Sequence, residues 1–206
     1  MSQRNRRVLT SLATATAVAL AAGTTALAAT VIGDASSNVL TGTEQRDVIL
    51  ARGGDDTVNG GRGRDRVHGG RENDALNGEE GRDFLSGGRG EDALSGGPGR
   101  DIVFANRGRD RSEGGDGPDR LWALSRFDVT AIGDTEGDEL SGGGGRDLFR
   151  VRDGEVDLVH CGDGNDRVLA DQFDTVDLDC EHVHRRAVTS LDQVADEEEN
   201  RTEDPS

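Results

Sequence analysis

Aspartate recurs every nine residues over a long stretch of this chain: Asp47, Asp56, Asp65, Asp74, Asp83, Asp92, Asp101, Asp110, Asp119 and Asp128. One step earlier, Asn38 supplies the closest oxygen-bearing substitute. Two residues after each aspartate comes an aliphatic side chain (Ile49, Val58, Val67, Leu76, Leu85, Leu94, Val103, Leu121), with Ser112 and Thr130 as the exceptions. Two residues before it, glycine recurs at Gly54, Gly63, Gly81, Gly90, Gly99, Gly108 and Gly117. Paired glycines open units at Gly60-Gly61, Gly69-Gly70, Gly87-Gly88, Gly96-Gly97 and Gly114-Gly115. A strict internal period constrains the fold more than any local propensity, because each unit must bury its apolar side against a copy of itself.

The period excludes a helix. Each interior glycine would cost a helix about 1 kcal/mol relative to alanine. The nine residues divide instead into a six-residue turn, G-G-x-G-x-D, and a three-residue strand, x-U-x, with the aliphatic U facing inward. Short strands joined by such turns and repeated in register wind into a solenoid. Composition agrees: 31 glycines, three prolines, no tyrosine and 3 per cent aromatics leave little for a conventional core. Beyond Asp128 the register slips, and Asp138, Asp147, Asp157, Asp166 and Asp174 follow at spacings of ten, nine, ten, nine and eight. The segments GGGGRDLF (142–149) and CGDGNDRVL (161–169) are clear units in an otherwise degenerate continuation and cap.

Glycine reaches backbone angles with positive φ that other residues adopt only at a cost. A glycine-rich turn can therefore aim several carbonyls at one point, and the terminal aspartate adds a carboxylate. Stacked turns multiply these oxygens. Six to eight oxygens at about 2.3–2.6 Å suit Ca²⁺, whereas Mg²⁺ demands a tighter octahedron. Zn²⁺ would call for His or Cys, and the four histidines lie off the pattern. The candidate ligands are Asp47, Asp56, Asp65, Asp74, Asp83, Asp92, Asp101, Asp110, Asp119, Asp147 and Asp166, with the turn glycines Gly60, Gly63, Gly81, Gly90, Gly96, Gly99, Gly114 and Gly117.

The units GGRGRDRVH (60–68), GGRGEDALS (87–95), GGPGRDIVF (96–104) and GGDGPDRLW (114–122) are similar to the G-G-x-G-x-D-x-U-x nonapeptide of the haemolysin-type, or repeats-in-toxin (RTX), calcium-binding family. The resemblance covers residues 33 to about 131 well and 132–180 loosely. It implies an all-β fold, a parallel β-roll (β-solenoid) with two nonapeptides per coil and a degenerate C-terminal cap. It also implies several calcium ions between turns stacked on one edge, held by aspartates and turn carbonyls. Alternate units would then share an edge. The first edge carries Asp47, Asp65, Asp83, Asp101 and Asp119, and the second carries Asp56, Asp74, Asp92, Asp110 and Asp128. On the first, three units from 60 to 122 are full matches and GEEGRDFLS keeps its key glycines; on the second only GGRGEDALS is a full match, since Glu72 occupies a key glycine place and ANRGRD lacks the opening pair. The first edge is expected to hold more calcium, and more tightly. Many repeats of the family carry Asp or Asn just before the ligand aspartate, where this edge stacks Arg46, Arg64, Arg82 and Arg100. These arginines are expected to lie exposed and to contribute little.

The net charge of −17 sets nucleic acid and anionic membrane surfaces aside as partners and favours cations. Residues 1–28 read as a secretory signal peptide: Arg4, Arg6 and Arg7, an apolar run from Leu12 to Leu27, then Ala26-Leu27-Ala28 as a cleavage site. The run is short and rich in Ala and Thr for a membrane anchor. Arg6-Arg7 is a weak sign of the twin-arginine route. The organisation expected is 1–28 signal, 29–131 regular repeats, 132–184 degenerate repeats and cap, and 185–206 an acidic disordered tail. Cys161 and Cys180 suit an oxidising destination and are expected to form a disulfide, the alternative being two free thiols. His182 and His184 read as part of a surface strand, and Trp122 as packing. No G-x-S-x-G or H-E-x-x-H occurs, and the repeats begin close behind the cleavage site. The reading is a secreted, non-catalytic calcium-binding β-roll, largely disordered until it meets calcium at extracellular levels, of order 10⁻⁴–10⁻³ M. The alternative is a cell-surface adhesion or interaction scaffold in which calcium is only structural. Its outward places seven and nine hold Arg, Ala, Phe, Ser, Asn and His in no evident order.

Overall fold

A computed structural model of the chain describes residues 28–123 and 137–187. The signal segment, Asp128 and Thr130, and the tail from residue 188 lie outside these residues. The described chain is all β. Its strands are β1 (Thr30–Ile32), β2 (Val39–Thr41), β3 (Val48–Leu50), β4 (Thr57–Gly63), β5 (Arg66–Arg71), β6 (Ala75–Gly81), β7 (Phe84–Arg89), β8 (Ala93–Ser95), β9 (Ile102–Arg107), β10 (Arg111–Asp116), β11 (Arg120–Trp122), β12 (Glu139–Gly145), β13 (Leu148–Val151), β14 (Leu158–Gly164), β15 (Arg167–Ala170), β16 (Thr175–Val176) and β17 (His182–Arg185). Every pairing is parallel and joins a strand to the next but one. The odd strands form a nine-stranded sheet and the even strands an eight-stranded one. Two units therefore make one coil, and residues 18 apart are neighbours, as in Val48↔Arg66 and Thr57↔Ala75. The expected parallel β-roll is the observed fold.

The alternation of the strands explains the core. Place eight of each unit points inward, so Leu40, Ile49, Val58, Val67, Leu76, Leu85, Leu94, Val103, Leu121, Leu140, Phe149, Val159 and Val168 are all buried in one continuous cluster. Ala51, Val151, Cys161 and Ala170, at place one of their units, join it. Several strands run longer than the expected x-U-x. In β4 and β6 the ladder continues through the turn, pairing Gly61↔Glu79 and Gly63↔Gly81. Identical turns lie in register, so their amides pair like those of the strands.

The register changes once among the regular coils. Arg111 pairs with Glu139 and Arg120 with Leu148, 28 residues apart instead of 18. Asp138 consequently stands next to Asp110, and Asp147 next to Asp119. This corrects the expectation that Asp128 is the next rung of the second edge. Counting by nines runs through an insertion of ten residues, and the sheets resume only after it. The last coils are closed by a Cys161–Cys180 disulfide with Cα atoms 5.2 Å apart. It joins β14 to the chain just before β17, an exposed strand that carries His182 and His184 as expected. Among the described residues no helix is long and apolar enough to cross a membrane.

Candidate metal centre

The turns show why glycine holds its places. Gly61, Gly97 and Gly115 at place two have φ of 98°, 96° and 105°, and Gly63 and Gly117 at place four have 142° and 130°. The non-glycine residues with positive φ, Arg52, Glu79 and Asn106 at place two and Glu72 at place four, fall where other units have glycine. Place one has a different reason. A Cβ on Gly96 would lie 2.6 Å from the Gly114 carbonyl oxygen and 2.8 Å from Asp101 Oδ2. Gly78 repeats this with the Gly96 carbonyl and Asp83 Oδ2, and Gly114 with the Gly142 carbonyl and Asp119 Oδ2. A carbonyl and a carboxylate oxygen thus converge over each glycine, in a space that any side chain would fill.

The aspartates form two continuous ladders. On the first edge, the N–H of Asp47 donates to Oδ1 of Asp65 at 2.7 Å, and Asp65, Asp83, Asp101, Asp119 and Asp147 each donate likewise to the aspartate one coil on, ending at Asp166. On the second, the ladder runs from Asn38 through Asp56, Asp74, Asp92, Asp110, Asp138 and Asp157 to Asp174. Glu181 closes the first ladder by accepting from Asp166, and the N–H of Ala29 opens it at Asp47.

These carboxylates are almost wholly shielded from water. Oδ1 has its donor, but Oδ2 of Asp56, Asp65, Asp74, Asp83, Asp92, Asp101, Asp119, Asp138, Asp147, Asp157 and Asp166 accepts no hydrogen bond. Burial pushes Asp65, Asp92, Asp101 and Asp147 up to about 6, and Asp74, Asp83 and Asp119 up to about 7, against the lowering effect of the backbone N–H bonds. Neighbouring carboxylates along the ladder add to the rise at Asp74, Asp83 and Asp119. Buried acid oxygens facing carbonyls are costly unless something positive lies between them. The donor set is all oxygen, so the residues fit a hard cation such as Ca²⁺. The aspartates with orphan Oδ2 atoms, together with the carbonyls over Gly78, Gly96 and Gly114, would hold it and be neutralised by it. Asp47 differs: Thr43 donates to both its oxygens, through its N–H and its hydroxyl, so protein groups already occupy it.

The place-four glycines Gly81 and Gly99 pack against the carbonyls of Gly63 and Gly81, and Gly90 against that of Glu72. Arg46, Arg64, Arg82 and Arg100 are exposed, as expected. The second edge carries acceptors at place five, where Asp55 takes the N–H of Asn73 at 3.1 Å and Asn73 that of Glu91 at 2.8 Å. Asp138 and Asp157, outside the expected ligand set, belong to the second ladder. Reading by eighteens rather than nines would have found the place-five pairs, whereas Asp138 and Asp157 follow Asp110 at steps of 28 and 19 and escape any fixed spacing. The outward face also has an order invisible in the linear sequence. Ring centroids of His68, Phe84, Phe104 and Trp122 follow one another at 5.6, 5.3 and 4.5 Å across β5, β7, β9 and β11, and Arg150 lies over Trp122.

These features define a class: a parallel β-roll whose two edges are lined with buried carboxylates and turn carbonyls suited to a hard cation. The family model of the RTX calcium-binding nonapeptide repeat matches residues 32–67, 68–103 and 104–125. Over these residues the chain carries RTX-type calcium-binding nonapeptide repeats. Among curated proteins, none matches the chain.

Proposed function

We propose that this protein is secreted, binds several calcium ions along its β-roll edges, winds up on them after export and performs no catalysis. One observation carries the reading: two rows of buried aspartates, among them Asp65, Asp83, Asp101 and Asp119 on one edge and Asp56, Asp74 and Asp92 on the other, whose Oδ2 atoms accept no hydrogen bond. At neutral pH such rows oppose folding unless protons or cations fill them. Each unit also buries only one aliphatic side chain against the conformational entropy of nine residues. The basic, apolar and small-residue pattern of residues 1–28 supports export, where calcium is plentiful. The first edge is the tighter one, because Gly63, Gly81, Gly99 and Gly117 keep place four of its units between residues 60 and 122 while Glu72 holds that place on the second.

The test is far-UV circular dichroism of residues 29–206 during calcium titration, with magnesium as control. A cooperative rise in β signal with calcium alone is the expected result. A β spectrum complete in chelator and indifferent to calcium would overturn the proposal. Asp83→Asn with Asp101→Asn should raise the midpoint more than Asp74→Asn with Asp92→Asn. A second reading, an interaction scaffold with structural calcium, is favoured by the half-buried row of His68, Phe84 and Phe104, which the buried Trp122 backs. Under that reading, Phe84→Ala with Phe104→Ala abolishes retention on the cell surface and leaves the calcium titration unchanged.

A further inference from the structure

The ten-residue unit 151–160 lacks the opening glycines and lies beyond the family match. Its turn reads Asp153-Gly154-Glu155-Val156-Asp157. All three acids are buried, with 6%, 2% and 0% of their surface exposed. One carboxylate oxygen of each lies within 4.8 Å of the others. The turn is held rigidly. The N–H of Glu155 donates to Asp153 Oδ1 at 3.1 Å, and that of Gly154, at φ 98°, donates to Asp171 Oδ2 at 2.9 Å. Asp157 Oδ1 takes the N–H of Asp138 at 2.7 Å, while Oδ2 of both Asp138 and Asp157 is buried and accepts no hydrogen bond.

The next turn behaves differently. Asp171 accepts from Phe173 and Gly154, and Asp174 from Asp157 and Asp171, so both oxygens of each are satisfied by backbone amides. Arg185 donates to the carbonyls of Asp171 and Asp174 at 3.0 Å each and closes that side. The Gly154 N–H bond to Asp171 ties this second turn to the first. We propose that Asp153, Glu155 and Asp157, with Asp138 from the preceding coil, form a site for one hard divalent cation of the calcium class at the C-terminal end of the second ladder, tighter than the repeat sites. Each repeat turn brings one buried ladder carboxylate to its edge, whereas this turn concentrates three buried carboxylates. Affinity among oxygen-ligand calcium sites rises with ligand charge and rigidity. The absence of His and Cys from the set disfavours zinc-class metals. Asp138 and Asp157 are pushed well up by burial and by these same neighbouring acids, as expected where a cation is called for.

The experiment is calorimetric titration of the full chain with Ca²⁺ alone, comparing wild type, Glu155→Gln and the repeat variant Asp83→Asn with Asp101→Asn. In Glu155→Gln the first binding step should weaken by more than about tenfold, or vanish, with the later ions retained. The repeat variant should do the reverse. Should calcium fail altogether to bind wild type, both this site and the repeat reading fall. An unchanged first step in Glu155→Gln removes this site alone. Hydrogen exchange on wild type at one calcium per chain asks the same question without a substitution. Protection appearing first over residues 151–160 supports the site, and protection appearing first over 60–122 overturns it.

Discussion

Ser112 stands in the inward row between Leu94 and Leu140 on the neighbouring strands, and its buried hydroxyl makes no hydrogen bond. Ser112→Val fills an aliphatic place and removes an unsatisfied donor, so it should stabilise the calcium-loaded chain by about 1 kcal/mol, read as a higher urea midpoint at constant m. Glu79 holds φ 67° beside Gly61 in the same register place. Glu79→Gly relieves the left-handed conformation but loosens the unfolded chain, for a net gain of about 0.5–1 kcal/mol by the same measurement. Asp101→Asn should have effects of opposite sign in the two states. Its amide can keep the bond from Asp83 and turn Nδ2 toward the Gly114 carbonyl that now faces Oδ2. The metal-free coil gains a hydrogen bond, and a cation loses a charged ligand. Calcium titration should show a raised midpoint together with a stronger β signal in chelator.

At the scale of strands and turns, the C-terminal coils depend on the disulfide more than on repeat chemistry. β16 has two residues, β17 is exposed throughout, and the ladders end in Asp174 and Glu181. Closing a loop of about 20 residues is worth about 3 kcal/mol in the chain-entropy model. Reduction should therefore open the chain beyond residue 170 to limited proteolysis in calcium while 33–123 stays protected; equal cleavage in both regions would contradict this. The regular coils were legible in advance because the aspartate recurs every nine residues from Asp47 to Asp119, with glycine in most of the turns before it. The change of register was not, because the ten extra residues between β11 and β12 look, when counted by nines, like one more worn unit ending at Asp128. The turn at 153–157 was also missed, since it has neither the glycine pair nor the length of a repeat. The aromatic row escaped because it alternates between places seven and nine, with Phe84 at one and His68, Phe104 and Trp122 at the other. Only pairing across the sheet makes these neighbours.

For the whole molecule, the two ladders tie winding to acidity as well as to calcium. Asp65, Asp92, Asp101 and Asp147 sit at about 6, and Asp74, Asp83 and Asp119 at about 7, all above their ordinary 3.8. A carboxyl whose value is raised by folding favours the fold fully below 3.8, and that support is lost as pH rises through 6 to 7. The metal-free chain should therefore gain β signal on acidification across this window. In the same window the calcium midpoint should rise as pH falls, with protons released on binding; a midpoint independent of pH would contradict the linkage. The parallel register has one more outcome, for how such a chain changes length over generations. Loss or duplication of 18 residues within the regular coils returns each later side chain to its own sheet. A change of nine carries every later unit to the opposite sheet and separates Phe84 from Phe104 and Trp122. The coil, rather than the nonapeptide, is thus the unit in which this lineage can be edited, and the pairings Arg111↔Glu139 and Arg120↔Leu148 show that an odd-sized insertion survives where both sheets recover their partners beyond it.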